Sequence, residues 1–322
     1  MPCARGTVRH GPNNSSFDRA IKIDKKLALL AIVMEQQVMP GEIELVGPNG
    51  RGYNALTWGD PGGVPIVGLH GWMDNAATFA ALAPLLEGVY LVSIDLPGHG
   101  KTPRLPDGVY YHYIDHLSDL DAAINGLGWD QCVLLGHSMG GTLVTTYAAA
   151  FPERITRVIS IDALGPMFGA PEKFVERIRS GIESRAHYRP DSRRYFASRE
   201  QAVDARRANG GMSNFAANHL ASRGMEQLQQ GWSWRVDRRH RLPSLAFHAE
   251  EQISAVLSAV LAPTLVVSAE DTHIPSLPGI IEKRFGLLQH GQLLKLTGGH
   301  HLHLDNAAAC AAAINAFLQG SD

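Results

Sequence analysis

The stretch Val133-Leu134-Leu135-Gly136-His137-Ser138-Met139-Gly140-Gly141-Thr142 decides the fold of this chain. An apolar run ends in the pattern G-x-S-x-G and continues directly into residues 142–150, which have helical character. This order predicts a strand, a sharp turn and a helix, and the glycines Gly136 and Gly140 suit the strained backbone of such a turn. We expect Ser138 to project its hydroxyl above the strand end, near amides of the helix N-terminus that stabilise negative charge.

Length and composition indicate a globular protein. The 322 residues are 45% hydrophobic and 19% charged, which fits one large α/β domain with an insertion, or two domains. No apolar run approaches the roughly 18 residues of a membrane span. The net charge of −2 gives no reason to expect a nucleic acid partner. The cysteines Cys3, Cys132 and Cys310 are far apart, which argues against a disulfide framework or a zinc site and favours a cytoplasmic location.

Residues 1–40 form a predicted N-terminal extension. Residues 1–19 are polar and rich in turn-forming residues, and residues 21–39 are compatible with a short amphipathic helix or with a disordered segment. The basic-flanked apolar run 27–34 is similar to a signal peptide core, but it is short and no small-x-small cleavage site follows it. Secretion or a periplasmic location is therefore the alternative to the cytoplasm.

From residue 42 onward the hydrophobic pattern predicts alternating strands and helices. An antiparallel hairpin is expected from residues 42–46 and 53–58 around a turn at 47–50. Uniformly apolar segments predict strands that are covered on both faces, at 65–69, 90–94, 132–135, 157–161, 264–268 and 293–296. Helix-length segments accompany them, at 76–86, 114–127, 141–151, 278–285 and 306–318. The alternation indicates an α/β fold with a mostly parallel, doubly wound sheet.

About a hundred residues separate the strand 157–161 from the strand 264–268, too many for a single crossover helix. We therefore predict that residues 165–262, named the cap segment here, form an all-helical lid over the carboxyl edge of the sheet. Its predicted helices are 171–185, 192–209, 214–223 and 250–259. The cap segment contains 14 Arg and one Lys against ten Asp and Glu. This basic excess is interpreted first as solvated helix faces, and alternatively as a mouth that attracts anions.

A serine needs a base, an orienting acid and an oxyanion hole to act as a nucleophile. The base is predicted in the histidine-rich loop 297–305, where His300 is preferred to His301 and His303 because it directly follows Gly298-Gly299. A histidine-rich tract can also bind a metal. That alternative is set aside because no acidic or histidine partner elsewhere has the spacing of a metal ligand, so we predict neither a metal nor a cofactor.

The oxyanion hole is predicted from two backbone amides. In Leu69-His70-Gly71-Trp72 a tight turn after a strand can present the Trp72 amide opposite the Met139 amide. His70 is expected to brace this loop rather than to act as the base. Asp95, at the end of the next strand, is expected to hold neighbouring loops.

These motifs resemble the α/β-hydrolase superfamily over residues 42–319, and within it the serine-hydrolase-like and bacterial carboxylesterase branch. The resemblance rests on His70-Gly71-Trp72-Met73-Asp74-Asn75, on the turn 136–140 and on Gly299-His300, and residues 232–244 are similar to the end of the cap in such bacterial proteins. It implies an eight-stranded sheet with a core of residues 41–164 and 263–322 and a helical cap, residues 165–262, inserted between strands 6 and 7. Epoxide hydrolases and haloalkane dehalogenases carry aspartate at the nucleophile position, so Ser138 argues against both.

The resemblance leaves two positions for the orienting acid. Most α/β-hydrolases place it where Asp271 lies, after the strand 264–268, whereas some esterases and the dehalogenases place it where Asp162 lies. Families that use the earlier position generally lack an aspartate at the later one, and this chain has one there. We therefore expect Asp271 to orient His300, with Asp162 as the alternative.

The sequence thus predicts a cofactor-free serine hydrolase that cleaves small to medium carboxylic esters through an acyl-enzyme on Ser138. The alternatives are a C–C bond, lactone or amide hydrolase with the same triad, and a non-catalytic binding protein with the same fold. Aromatic residues of the cap segment favour a small-molecule ester with an apolar acyl or alcohol part. They are Phe168, Phe174, Phe196, Phe215, Trp232 and Trp234.

Overall fold

The structure, a computed structural model, describes residues 39–189, 193–272, 274 and 277–320. The extension over residues 1–38, with most of its candidate helix, lies outside the described residues. No helix in the described ranges is long and apolar enough to cross a membrane.

A central sheet and a separate hairpin contain the strands of the described residues. They are β1 (Gly41–Val46), β2 (Gly52–Gly59), β3 (Val64–Leu69), β4 (Val89–Ile94), β5 (Cys132–His137), β6 (Ile155–Ile161), β7 (Met225–Leu228), β8 (Gly231–Trp234), β9 (Thr264–Ala269) and β10 (Gly291–Leu296). The central sheet has eight strands in the order β1-β2-β4-β3-β5-β6-β9-β10. β1 and β2 form an antiparallel hairpin, β2 pairs antiparallel with β4, and all other neighbours are parallel. The predicted mostly parallel sheet is confirmed.

Helices cover both faces of this sheet. The helices of the described residues are α1 (His116–Gly126), α2 (Met139–Ala150), α3 (Phe174–Ala186), α4 (Arg199–Gly210), α5 (Asn214–Gly224), α6 (Glu250–Ser258), α7 (Leu277–Phe285), α8 (Leu302–Asp305) and α9 (Ala307–Gln319). α1 and α2 pack on one face through Leu120 and Leu143, and α9 packs on the other through Ile314. β5 and β9 are therefore buried along their whole length, as their largely apolar sequences predict. Each fully buried Leu or Ile contributes roughly 1.5–3 kcal/mol.

The helix predicted over residues 76–86 is wrong. The structure has two 3₁₀ turns there, Ala76–Phe79 and Ala83–Leu85. Pro84 lacks an amide hydrogen, and in an α-helix its ring would clash with the carbonyl group four residues earlier. The side chain of Asn75 caps the first turn by accepting a hydrogen bond from the Ala77 amide.

The prediction that the cap segment is all helical is also wrong. β7 and β8 form an antiparallel hairpin within it, and the helix predicted from residue 192 begins at Arg199, where Ser198 caps it. Phe196 instead pairs with Trp232 through two backbone hydrogen bonds of 2.8 and 2.9 Å. Gly231 has a φ of 123° and would place a Cβ atom 2.5 Å from the Phe196 carbonyl oxygen, so only glycine suits this junction.

A buried arginine of α5 ties the cap segment to the sheet. Arg223 donates from Nε to Asp95 Oδ2 at 2.7 Å and from Nη1 to Glu42 Oε1 at 2.8 Å. Asp95 also accepts from the amides of Ala76 and Lys101. The buried carboxylate of Asp95 therefore joins the loops that follow β3 and β4 to the cap segment. Replacing Asp95 or Arg223 by a neutral residue would leave the other charge buried without this partner and would lower the stability of the fold.

Candidate active site

Ser138 lies at the sharp turn between β5 and α2, with φ 52° and ψ −117°. A Cβ atom on Gly136 would lie 2.3 Å from the Gly140 carbonyl oxygen, and one on Gly140 would lie 2.1 Å from the Leu69 carbonyl oxygen. Both positions therefore require glycine, as the G-x-S-x-G pattern predicts. A non-glycine residue held at positive φ costs about 1–3 kcal/mol, which the close packing of the turn must offset.

His300 stands between Ser138 and Asp162. Its Nε2 atom lies 2.9 Å from Ser138 Oγ, and its Nδ1 atom lies 2.7 Å from Asp162 Oδ2. Asp162 is fully buried and His300 almost so. With the hydrogen on Nδ1, the ring donates to the carboxylate and Nε2 accepts from the hydroxyl. The predicted nucleophile and base and the alternative candidate for the acid are thus in contact.

The preference for Asp271 as the acid does not agree with this geometry. Asp162 directly follows β6, the strand beside β5, whereas Asp271 lies two residues beyond the end of β9, one strand further away. The second carboxylate oxygen of Asp162 accepts from the Ala269 amide at 3.0 Å, which fixes the carboxylate towards the histidine. The Asp271 side chain is exposed, and its amide donates to the Gly298 carbonyl group.

The loop that carries His300 is shaped by Gly298 and by histidine contacts. Gly298 has a φ of 138°, a conformation that favours glycine. The ring of His137 donates from Nε2 to the His300 carbonyl oxygen at 2.8 Å and so supports the backbone of the base. Sequence reasoning did not assign this role, because the histidine of the G-x-S-x-G pattern is not tied to any one function.

The other histidines of the loop have different partners. His301 Nε2 lies 3.2 Å from Asp74 Oδ2, and His303 Nε2 lies 2.8 Å from Thr78 Oγ1. Neither of these side-chain contacts involves Ser138. His70, fully buried, accepts from the Leu96 amide at 3.1 Å and braces the loop beneath the site.

Asp74, His137 and His301 converge, which the sequence argument against a metal site did not foresee. One ligand atom from each lies within 4.8 Å of the others, and all three side chains are buried. Arg206 also pairs with Asp74, so the carboxylate charge already has a cationic partner. Burial alone would raise the pKa of Asp74, but His301, His137 and Arg206 hold it well below its usual range.

One of the two predicted oxyanion-hole amides, that of Met139, directly follows Ser138, and the other, that of Trp72, lies in a separate loop of the chain. Met139 is the first residue of α2, so its amide has no partner within the helix. Trp72 lies in the loop after β3, and its Nε1 atom donates to the His240 carbonyl oxygen at 2.9 Å, which ties this loop to the cap segment. Across the described ranges neither amide donates to a protein acceptor.

A cavity of about 780 Å³ is lined by Ser138, His300 and the cap segment. Of the aromatic residues predicted to make it apolar, Phe196 and Trp234 line it. Trp232 packs in the core of the cap segment. The other three are exposed, namely Phe168, Phe174 and Phe215. The dominant charged residues of the wall are six arginines, namely Arg104, Arg193, Arg194, Arg206, Arg238 and Arg241.

Comparison with known proteins agrees with the fold. Residues 64–307 match the model of the α/β hydrolase fold family, and the chain therefore belongs to this family. Among its relatives is a serine hydrolase-like protein of Danio rerio, 29% identical over 81% of this chain and 83% of that protein. Serine hydrolase-like protein 2 of Homo sapiens is 26% identical over 89% of this chain and 97% of that protein.

A solved structure is also similar. A hypothetical protein from Pseudomonas aeruginosa PAO1 is 34% identical and superposes with a TM-score of 0.81, covering 88% of this chain and all (100%) of that one. The family and these relatives together identify the chain as a hydrolase.

Proposed function

We propose that the protein is a serine hydrolase that cleaves carboxylic esters through an acyl-enzyme on Ser138. The observation that carries this proposal is the chain of two hydrogen bonds that joins Asp162, His300 and Ser138, with distances of 2.7 and 2.9 Å. The cavity beside them offers room for a substrate carbonyl group. The shared name of the relatives, serine hydrolase-like, supports the same reaction class.

In the first half of the proposed reaction Ser138 Oγ attacks the ester carbonyl carbon. His300 Nε2 takes the hydroxyl proton, while Asp162 holds the Nδ1 hydrogen and stabilises the imidazolium that forms. The amides of Met139 and Trp72 stabilise the negative charge on the carbonyl oxygen. When the tetrahedral intermediate collapses, the proton passes from His300 to the departing alcohol, and the acyl group stays on the serine.

In the second half a water molecule attacks the acyl-enzyme. His300 removes a proton from the water and returns it to Ser138 Oγ as the carboxylic acid departs. The same residues therefore act in both halves of the reaction, and water is the second reactant.

Labelling with a fluorophosphonate probe tests the proposal. We expect covalent modification of Ser138, detected by mass spectrometry, together with turnover of short p-nitrophenyl esters. Matched amide, lactone and dienone substrates separate ester hydrolysis from the alternative reactions with the same triad. A folded protein that neither reacts with the probe nor turns over any substrate would instead support a non-catalytic binding protein.

The assignment of the acid predicts that Asp162→Asn lowers turnover by roughly 10⁴-fold, because an asparagine cannot hold the required histidine tautomer. Asp271→Asn is the matched control, since it makes the same change at the exposed candidate. We expect it to retain turnover close to that of the wild type. Initial rates on a p-nitrophenyl ester, with thermal unfolding of each variant, give the comparison. A collapse in Asp271→Asn with Asp162→Asn spared would reverse the assignment.

The burial of His300 predicts the acid limb of the pH profile. Burial lowers the pKa of His300 from its usual 6.5, and the hydrogen bond to Asp162 opposes this only in part. The neutral base therefore persists below pH 6.5, and activity is lost only as the pH falls through the lowered pKa. We expect kcat/KM, measured from about pH 4 to 9, to have its acid midpoint below 6.5. A midpoint above that value would contradict this.

A further inference from the structure

Arginines from several separate segments of the chain converge on the cavity that holds Ser138. Arg104 follows β4, Arg194 precedes α4, and Arg206 lies on α4. Arg238 and Arg241 lie on the 3₁₀ turn Arg238–Arg241 near the end of the cap segment. Some arginines of the cap segment, whose excess was first interpreted as solvated helix faces, therefore line the cavity that holds Ser138.

Only part of this charge is neutralised by neighbouring carboxylates. Arg206 pairs with Asp74, and Arg193 shares Glu226 with Arg235. Asp237 lines the cavity, but Arg239 binds its carboxylate with bonds from Nε and Nη2. The acidic groups of the wall are therefore already occupied.

Four of the six arginines have no such partner among the described residues, and one of these four, Arg104, donates instead from Nη2 to the Arg235 carbonyl oxygen. Within the described ranges no carboxylate lies within 4.0 Å of a guanidinium nitrogen of Arg194, Arg238 or Arg241. Arg194 stacks over Phe196, with its guanidinium carbon 4.6 Å from the ring centre, and Arg206 is placed in the same way over Trp234 at 5.3 Å. Stacking restricts these long side chains and so lowers the entropy lost when they bind a ligand.

The guanidinium groups are close enough to repel one another. Burial lowers the pKa of Arg241, and the positive charges of Arg238, Arg206 and Arg194 lower it further. Arginine stays charged despite such a shift. A cluster of this kind costs free energy in the empty protein, and a bound anion would relieve that cost.

We infer that the ester cleaved at Ser138 carries an anionic group, a carboxylate or a phosphate, that is bound by Arg194, Arg238 and Arg241. The inference rests on the proposed function, because it describes the substrate of Ser138. Ser138 and the three arginines line one cavity. Planar guanidinium groups form paired hydrogen bonds with both kinds of anion. The sequence alone predicted a substrate ester with an apolar acyl or alcohol part. The inferred substrate instead combines a short apolar stretch with a charged end.

Two esters of equal chain length test the inference. The first is the mono-4-nitrophenyl ester of glutarate, which has a free terminal carboxylate, and the second is the neutral 4-nitrophenyl pentanoate. We expect kcat/KM of the wild type for the anionic ester to exceed that for the neutral ester by at least about tenfold. The double variant Arg238→Gln/Arg241→Gln should lose most of this ratio.

Arg207→Gln is the matched control. Arg207 is exposed, lies beside Arg206 on α4 and is not part of the cavity wall, yet its replacement removes one positive charge from the cap segment, as each of the two replacements in the double variant does. We expect it to keep the substrate ratio of the wild type. Equal loss of the ratio in this variant would mean that a general field of the cap segment, and not the cavity arginines, selects the anion.

Competition distinguishes the two anions. Free glutarate and inorganic phosphate are tested separately for slowing fluorophosphonate labelling of Ser138, and the stronger competitor identifies the carboxylate or the phosphate. If Ser138 hydrolyses both esters with equal kcat/KM and neither anion slows labelling, the inference is overturned while the proposed function stands. If neither ester reacts and the serine is not labelled, the proposed function falls, and the ester assignment falls with it.

Discussion

Ser138→Ala is expected to lower turnover of a short p-nitrophenyl ester by about 10⁶-fold, the loss that follows when a serine nucleophile is removed from an intact triad. The alanine has no oxygen to attack the carbonyl carbon, and the remaining amides and cavity can only bind the substrate. The hydroxyl contacts His300 at 2.9 Å and contributes little packing. We therefore expect the unfolding temperature to change by no more than a few degrees.

Initial rates, fluorophosphonate labelling and thermal unfolding of the purified variant give the test. Ser222→Ala, at an exposed serine of the cap segment, is the matched control and should retain full turnover and full labelling of Ser138. A properly folded Ser138→Ala protein that keeps most of its activity would remove Ser138 from the proposed mechanism.

His300→Ala is expected to cost about as much as loss of the serine, because both residues act in the same proton transfer and their effects are not additive. His301→Ala should cost far less, since that ring contacts Asp74 and not the serine. His303 is fully buried against Thr78, so His303→Ala should lower the free energy of unfolding by about 2–5 kcal/mol while turnover of the folded protein falls modestly.

Single-turnover and steady-state rates on the three histidine variants, corrected for the folded fraction, check this order. Addition of exogenous imidazole gives a further test, because a small base can enter the space left in His300→Ala and restore part of the rate. A collapse in His303→Ala, with His300→Ala spared, would move the base to the later histidine.

The local features of the site could be predicted from short stretches of sequence. Gly136 and Gly140 flank a serine between an apolar run and a helical run, and this pattern leaves little choice of backbone conformation. His300 follows Gly298, whose positive φ starts the loop. Such predictions hold because steric limits act between residues that are neighbours in the chain.

The substrate cavity could be predicted only in part. The arginine excess of residues 165–262 is visible in the sequence, but solvated helix faces and an anion-binding wall have the same composition. Phe196 and Trp234 are in the wall, whereas Phe168 is exposed. Which arginines and aromatic residues line the cavity depends on how the cap segment folds. The cap segment contains a β-hairpin, which the predicted helical pattern did not include.

The sequence by itself therefore determined the α/β fold, the serine turn and the position of His300, but it favoured Asp271 over Asp162 as the acid. Only the tertiary structure decided which carboxylate reaches the histidine, because that depends on β6 lying next to β5 and β9 lying one strand further away. It also decided that Arg194, Arg238 and Arg241 share a cavity with Ser138. The number of residues between two segments does not give their distance in space when sheet order and packing bring them together. The backbone strain of a tight turn, in contrast, depends on adjacent residues and can be predicted from them.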